Sequence, residues 1–100
     1  MNVAYTTCFK RSYKRLKQNQ QARIDAALRK FMTAPHHPFP KGLRVHKLGG
    51  VTGTPSSPGE PRPPVWEMHA TGAIIITFQY GDGEIIFRNC GEHDAVLRSP

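Results

Sequence analysis

The feature that most constrains the fold is a strand–turn–strand pattern in the second half of the chain. Ala73–Tyr80 is a nearly continuous apolar run, which is typical of a buried central strand. Gly81-Asp82-Gly83 follows as a tight-turn signal, and Glu84–Cys90 is again rich in β-branched and aromatic residues. The pattern therefore predicts a β-hairpin at the centre of a sheet.

Further strands and a helical region precede this hairpin. We predict a first short strand at Thr6–Phe9 and a helical segment whose N-cap is Ser12. Apolar residues recur at three and four positions over Gln20–Thr33, which predicts an amphipathic helix facing a core. Two more strands are predicted at Leu43–Leu48 and Val65–His69.

One hundred residues make a single domain, residues 1–100, with one modest core. A strand, two helical segments and then four strands predict an α+β fold, an antiparallel sheet of about four to five strands with two N-terminal helices packed on one face. Residues 49–64 are rich in Gly, Pro, Ser and Thr and are predicted to form a flexible loop. Val96-Leu97 can add a last short strand pairing.

Charge is the strongest compositional signal of function. Fourteen Lys and Arg against seven Asp and Glu give a net charge of +7, which favours a polyanionic partner such as nucleic acid, an anionic membrane surface or an acidic protein. No run reaches the roughly 20 apolar residues of a spanning helix, and Met1–Lys10 lacks a signal-peptide apolar region. We therefore expect a cytoplasmic protein without a membrane partner. Cys8 and Cys90 are expected to be free, buried thiols.

Strand alternation predicts a polar face on the sheet. Arg44 and His46 alternate with apolar neighbours in one predicted strand, and Glu67 and His69 do so in the next. If the apolar faces meet the helices, two histidines and an arginine emerge together on the open side as a candidate site. The alternative, which the pattern alone favours, is a set of ordinary exposed polar residues on a half-solvated sheet.

A third histidine, His93, follows Gly91 near the C-terminus. Gly91 allows a turn that can place His93 at the mouth of the sheet, although local capping or packing is an alternative. Together with His46 and His69 it could also form a three-histidine zinc site. No two of these histidines are close in sequence, so the spacing gives no support for zinc, and we expect neither a metal nor a cofactor.

Four segments in order resemble the RelE/YafQ family of toxins from type II toxin–antitoxin pairs. They are Phe9–Leu16, Gly42–Gly49, Trp66–His69 with the Ile-rich strand after it, and Phe87–Asp94. Only Val51–Pro64 lacks a counterpart. The resemblance implies a compact antiparallel sheet with two helices on one face. It also implies an endoribonuclease (mRNA interferase) that enters the ribosomal decoding site, cuts mRNA and so inhibits translation, and a cognate antitoxin protein that masks this surface.

The YafQ branch implies roles for three histidines, which match His46, His69 and His93. The sequence departs from the branch at two places. The acid expected shortly after the third-strand histidine is absent, and Asn89 stands where the branch has an arginine. Arg88 is adjacent, but a shift of one residue changes the sheet face, so Arg88 can serve only if a bulge turns it.

RNA cleavage needs a base for the 2′-hydroxyl, positive charge at the phosphate and an acid for the departing 5′ oxygen. Because imidazole ordinarily titrates near neutrality, a histidine pair can share the proton transfers. We predict that His69 and His93 hold these roles in either order, with His46 nearby. Arg88 and Arg44 are predicted to bind the phosphate.

The basic residues of the first helical region are predicted to bind ribosomal RNA away from the chemistry. They are Lys14, Arg15 and Lys17. Two other functions stay open at this point. ParE-type toxins of the same fold inhibit DNA gyrase, although three histidines argue against that reading, and the missing acid leaves open a degenerate relative that binds RNA without cutting it.

Overall fold

The computed structural model describes residues 2–100 and has five strands and three helices there. In chain order they are β1 (Asn2–Tyr5), α1 (Thr7–Arg15), α2 (Gln18–Thr33), β2 (His46–Thr52), β3 (Pro64–His69), β4 (Ile74–Gly81), β5 (Glu84–Glu92) and α3 (His93–Leu97). The strands form one sheet in the order β1-β5-β4-β3-β2. The predicted α+β fold with two N-terminal helices is confirmed. The sheet is mixed, however, because β1 pairs with β5 in parallel while the other neighbours are antiparallel.

The start of the chain differs from the prediction. Thr6–Phe9 was expected as a strand, but it contains the start of α1, and the first strand is Asn2–Tyr5. Thr6 is the N-cap, since its hydroxyl accepts a hydrogen bond of 3.0 Å from the Phe9 backbone N–H. Ser12 therefore lies inside α1 and is not a cap. A threonine suits both strands and caps, which is why the local pattern was ambiguous.

The core lies between the helices and one face of the sheet. The predicted amphipathic helix is confirmed, since Ile24, Ala27 and Phe31 of α2 are buried. Phe31 packs against Phe78 of β4 with ring centroids 4.8 Å apart. Burying each large apolar side chain contributes about 1.5–3 kcal/mol, so this face holds the helices on the sheet and leaves the opposite face for other roles.

The predicted hairpin is confirmed, with Asp82-Gly83 as the turn between β4 and β5. Other boundaries differ. β2 begins at His46 and extends to Thr52, so part of the segment predicted as a loop is a strand, and residues 53–63 have neither helix nor strand. Val96-Leu97 belongs to α3, not to a strand. Within residues 2–100, no helix is long and apolar enough to cross a membrane.

Candidate active site

The candidate site lies on the sheet face that points away from the helical core, and Glu67 is at its centre. Met68 is fully buried in the core, so by alternation its neighbours Glu67 and His69 face the other way. The Glu67 side chain is only 3% exposed, and one carboxylate oxygen, Oε1, lies 2.7 Å from His69 Nε2. A buried carboxylate needs such a partner, because an unpaired charge removed from water is costly.

The three predicted histidines surround this carboxylate. His46 Nε2 lies 3.9 Å from Glu67 Oε2, and His93 Nε2 lies 3.9 Å from Glu67 Oε1. The His69 ring stacks between the other two, with centroid distances of 6.2 Å to His46 and 6.3 Å to His93. Residues that are far apart in sequence therefore form one cluster, which we call the histidine cluster (His46, Glu67, His69, His93).

Arg44 joins the cluster through the turn that precedes β2. Its backbone has a positive φ of 49°, a conformation that costs a non-glycine residue about 1–3 kcal/mol. The Leu43 carbonyl accepts a hydrogen bond of 2.7 Å from the His69 backbone N–H, which ties this turn to β3. As a result the Arg44 guanidinium lies 3.1 Å from His69 Nδ1, and the Arg44 carbonyl lies 2.9 Å from His46 Nδ1.

These partners determine which ring nitrogens carry protons. A guanidinium only donates hydrogen bonds, so His69 Nδ1 is the acceptor from Arg44 and the His69 proton is on Nε2, where it is donated to Glu67. A carbonyl only accepts, so His46 Nδ1 carries a proton and donates it to the Arg44 carbonyl. In the neutral ring, His46 Nε2 is then the free nitrogen that faces the carboxylate.

Arg88 reaches the same face through a β-bulge. Thr77 pairs with Asn89, whereas the next residue of β4, Phe78, pairs with Phe87, so Arg88 is the extra residue. The bulge turns its side chain towards Gln79, whose amide oxygen accepts a hydrogen bond from the guanidinium. Partial burial lowers the pKa of Arg88 from its ordinary value. The bulge that Arg88 needs in order to serve at the site is therefore present, although the role of Arg88 in binding phosphate stays a prediction.

The part of the sheet face around Arg88 and Gln79 is partly covered, whereas the sequence predicts an open face. The segment after α3 crosses it, and the Pro100 carbonyl oxygen lies 3.0 Å from Arg88 Nε. On the other side Gln79 exchanges two hydrogen bonds with the Thr54 backbone, of 2.7 and 3.1 Å. Arg88 is thus held among protein groups and is less accessible than Arg44, which is exposed.

The contacts of Asn89 and Glu67 bear on the two departures from the family pattern. Asn89 is buried and its amide donates to the Ser99 carbonyl at 2.8 Å, so it anchors the C-terminal segment. The acid expected after His69 is absent, but Glu67 places a carboxylate against His69 from two residues before it. Strand alternation places Glu67 on this face but assigns it no role, and the alternation that selects His69 is the signal that could have identified Glu67.

The predicted RNA-binding residues of the helices do not converge on the histidine cluster. Lys14 and Arg15 are in the last turn of α1, and Lys17 is the N-cap of α2. All three are exposed. Lys14 lines a groove with Tyr5 and Leu28, while Arg15 lines a different one beside Ser99. Contact with RNA at a distance from the chemistry therefore stays a prediction.

Comparison with solved structures identifies the fold. No protein-family model matches the sequence, and no curated protein matches it. Among solved structures, YafQ in the E. coli DinJ–YafQ toxin–antitoxin complex has a TM-score of 0.68 at 17% identity, covering 96% of each chain. The RelB–RelE antitoxin–toxin complex from Methanococcus jannaschii gives a TM-score of 0.66 at 14% identity, over 97% of this chain and 99% of that one.

A third neighbour broadens the group to a related toxin type. The YoeB/ParE toxin from Agrobacterium tumefaciens has a TM-score of 0.62 at 17% identity and covers 93% of this chain and 99% of that one. This chain matches the toxin in each of these structures almost end to end. The chain therefore has the fold of the RelE/YafQ toxins, as the resemblance in its sequence predicted.

Proposed function

We propose that this chain is the toxin of a type II toxin–antitoxin pair, an endoribonuclease that cuts mRNA at the ribosome and inhibits translation. The observation that carries the proposal is the buried Glu67 carboxylate within reach of three imidazoles. Proton-transfer groups in this number are unnecessary for a surface that only binds. The net charge of +7 supports a nucleic-acid substrate.

His69 is the base in this scheme. Its Nε2–H is held by Glu67 at 2.7 Å, so the free lone pair is on Nδ1, which Arg44 covers. When Arg44 moves to the RNA phosphate, Nδ1 becomes free to accept the proton of the 2′-hydroxyl. Glu67 then stabilises the imidazolium that forms, as a carboxylate does for the histidine of a hydrolytic triad.

His93 is the acid, and the reaction is an internal transfer. The 2′ oxygen attacks phosphorus, the bond from phosphorus to the 5′ oxygen breaks, and His93 protonates that oxygen. The products are a 2′,3′-cyclic phosphate and a 5′-hydroxyl. The His93 side chain is 43% exposed, so it can reach a leaving group outside the cluster. Arg44 and Arg88 supply positive charge to the phosphate as its negative charge grows.

The proposed partners are the ribosome with its mRNA and a cognate antitoxin. Two of the structural neighbours were solved in complex with their antitoxins, DinJ and RelB. An antitoxin segment that is acidic where it meets this chain fits a surface of charge +7. Co-purification from the native operon should recover such a partner, and recovery of the chain alone in active form, without harm to its host, would contradict the proposal.

Cell-free translation with mapping of the mRNA ends tests the function. Added chain should produce new mRNA ends on translated messages, and Glu67→Gln should remove them while Glu60→Gln, at an exposed loop position, should not. Intact mRNA with stalled translation would instead indicate a degenerate relative that binds RNA. Unaffected translation with blocked supercoiling would indicate a gyrase inhibitor, the function that the YoeB/ParE neighbour keeps open.

A further inference from the structure

We propose that His46, Glu67 and His69 also form a binding site for one divalent transition-metal ion, and that the bound ion blocks RNA cleavage. The metal site rests on geometry alone, while the inhibition rests on the function proposed above. One nitrogen of each histidine and one carboxylate oxygen lie within 4.8 Å of one another. Two imidazoles and one carboxylate are a common set of protein ligands for zinc.

The distances require only small side-chain rotations. A tetrahedral ion with bonds of about 2.0–2.2 Å keeps its ligand atoms roughly 3.3 Å apart. Glu67 Oε1 is only 2.7 Å from His69 Nε2, so that separation must grow, while His46 Nε2, 3.9 Å from the other carboxylate oxygen, must move closer. His93 Nε2, at 3.9 Å from Glu67 Oε1, can rotate in as a fourth ligand because its side chain is partly exposed.

The surroundings of His46 and Glu67 favour metal binding. His46 Nδ1 donates to the Arg44 carbonyl at 2.9 Å, and metal-ligating histidines are usually oriented by such a bond from the other ring nitrogen. That bond leaves the Nε2 lone pair directed at the carboxylate. Glu67 brings negative charge to a nearly buried position. Imidazole nitrogens select zinc, copper and nickel over magnesium, which prefers oxygen ligands.

Arg44 opposes the ion. Its guanidinium donates to His69 Nδ1 at 3.1 Å, which keeps the His69 proton on Nε2, the nitrogen that would have to bind the metal. For an ion to enter, Arg44 must leave and the proton must pass to Nδ1 through solvent. The ion would then hold both the carboxylate and the base of the proposed mechanism. Metal-bound and cleavage-competent states of the cluster therefore exclude each other.

Zinc titration of the EDTA-treated full chain against a chromogenic chelator tests the site. We expect one tightly bound Zn²⁺ per chain. Because loss of an outer-shell partner already costs about 10–100-fold in affinity, loss of a ligand in His46→Ala or Glu67→Gln should cost at least that much. His46 is exposed, so the first variant keeps the fold even if the second does not.

Two control variants separate this site from adventitious binding. The exposed pair His36 and His37 is the other histidine group that could hold zinc, so the double variant His36→Ala/His37→Ala should retain full affinity. Glu60→Gln should retain it as well. Loss of zinc in the double variant, with retention in His46→Ala, would overturn the proposal.

Arg44→Ala provides a test in the opposite direction. Removing the competing hydrogen bond should raise zinc affinity by several-fold or more, while the same change lowers cleavage. Unchanged or weaker zinc binding in Arg44→Ala would contradict the competition. One equivalent of Zn²⁺ should stop cleavage by the unaltered chain and EDTA should restore it, whereas full activity of the zinc-bound chain would overturn the inhibition. A chain that binds zinc as expected but never cuts RNA supports the metal site and contradicts the proposed function.

Discussion

Glu67 and His69 lie two residues apart on β3, and His69 Nε2 donates a hydrogen bond of 2.7 Å to the Glu67 carboxylate. Both are on the sheet face opposite to the helices, and the carboxylate is almost inaccessible to water. Interactions between buried charged groups are weakly screened by salt. The pair is therefore suited to stabilise an imidazolium that forms during a reaction, a role that an exposed ion pair would perform poorly.

Glu67→Gln should isolate that role. The amide keeps the shape of the side chain but removes the negative charge that stabilises protonated His69, so we expect cleavage to fall by about 10²–10⁴-fold. The fall should appear in kcat with little change in KM, measured by single-turnover cleavage on programmed ribosomes. Glu60→Gln is the matched control and should have no effect. A Glu67→Gln variant that cuts at the normal rate would assign Glu67 a packing role only.

Arg44→Ala and Arg88→Ala should differ in stability. Arg88 is fixed by Gln79 and the Pro100 carbonyl, so its removal takes away two part-buried hydrogen bonds from a charged donor and should cost about 1–3 kcal/mol of unfolding free energy. Arg44 is exposed and contacts His69, so its removal should slow cleavage with a nearly unchanged melting temperature. Thermal unfolding and cleavage rates of the two variants check this, and equal destabilisation would show that Arg44 is structural.

Much of the sheet could be predicted because its signals are local. The apolar run, the Asp82-Gly83 turn and the alternation in β3 each depend on residues that are close in sequence. The same alternation put His46, Glu67 and His69 on one face. The turn at Gly91 left two alternatives for His93, the mouth of the sheet or local packing, because His93 reaches the cluster through the pairing of β5 with β4.

The sequence-based predictions that were wrong share one physical cause. Each concerned a feature that depends on contacts between residues far apart in sequence. Whether Thr6 continues a strand or caps a helix depends on Arg88, whose carbonyl accepts a hydrogen bond of 2.6 Å from the Thr6 hydroxyl. The bulge that turns Arg88 has no sequence signature of its own. The cover over Gln79 likewise depends on the C-terminal segment and on Thr54, which meet only in the folded chain.

Gly53→Ala should weaken the cover that Thr54 and the C-terminal segment form over Gln79. A Cβ at Gly53 would overlap the Gln79 amide, and Arg88 lies directly behind it. Overpacking of this kind typically costs about 1–3 kcal/mol, and here it should also loosen the hydrogen bonds between Gln79 and Thr54. Chemical denaturation measures the cost. Gly72→Ala is the control, because nothing lies within 4 Å of its Cβ position, and equal stability of the two variants would contradict the close contact.

The two cysteines should differ in reactivity and in their effect at high pH. Burial raises the pKa of Cys90 to about 12, whereas Cys8 is exposed, so iodoacetamide should modify Cys8 alone in the native chain. An unfolded thiol titrates near pH 8.5. Between that value and about pH 12 the unfolded state loses a proton that the native state keeps, so stability should fall as pH rises.

Peptide mapping after alkylation checks the first expectation. Melting temperatures measured from about pH 8 to about pH 11, a range that lies mostly between the two thiol pKa values, check the second. Cys90→Ala should flatten the alkaline decline. Rapid native labelling of Cys90 would show that β5 is less well packed than the structure indicates.

Cleavage should need no metal and should leave 2′,3′-cyclic or 3′-phosphate ends. The histidine cluster has one carboxylate among three imidazoles, which suits proton transfer, whereas magnesium prefers several oxygen ligands. His69→Ala and His93→Ala should each lower the rate by about 10²–10⁴-fold. Ribosome binding should survive both, because Lys14, Arg15 and Lys17 are unchanged. His37→Ala, at an exposed position, is the control.

The end chemistry and the response to EDTA test the same scheme independently. An attack by the 2′-hydroxyl leaves phosphate on the 3′ side, whereas an attack by a metal-activated water can leave a 3′-hydroxyl, and the two ends differ in their response to polynucleotide kinase and ligase. EDTA at a concentration below that of the magnesium on which ribosomes depend should leave cleavage unchanged, or raise it if the preparation carries zinc in the histidine cluster. Abolition of cleavage by this amount of EDTA, with the ribosomes still intact, would refute the metal-free scheme. Full activity of both alanine variants would mean that these histidines are ordinary polar residues of a half-exposed sheet.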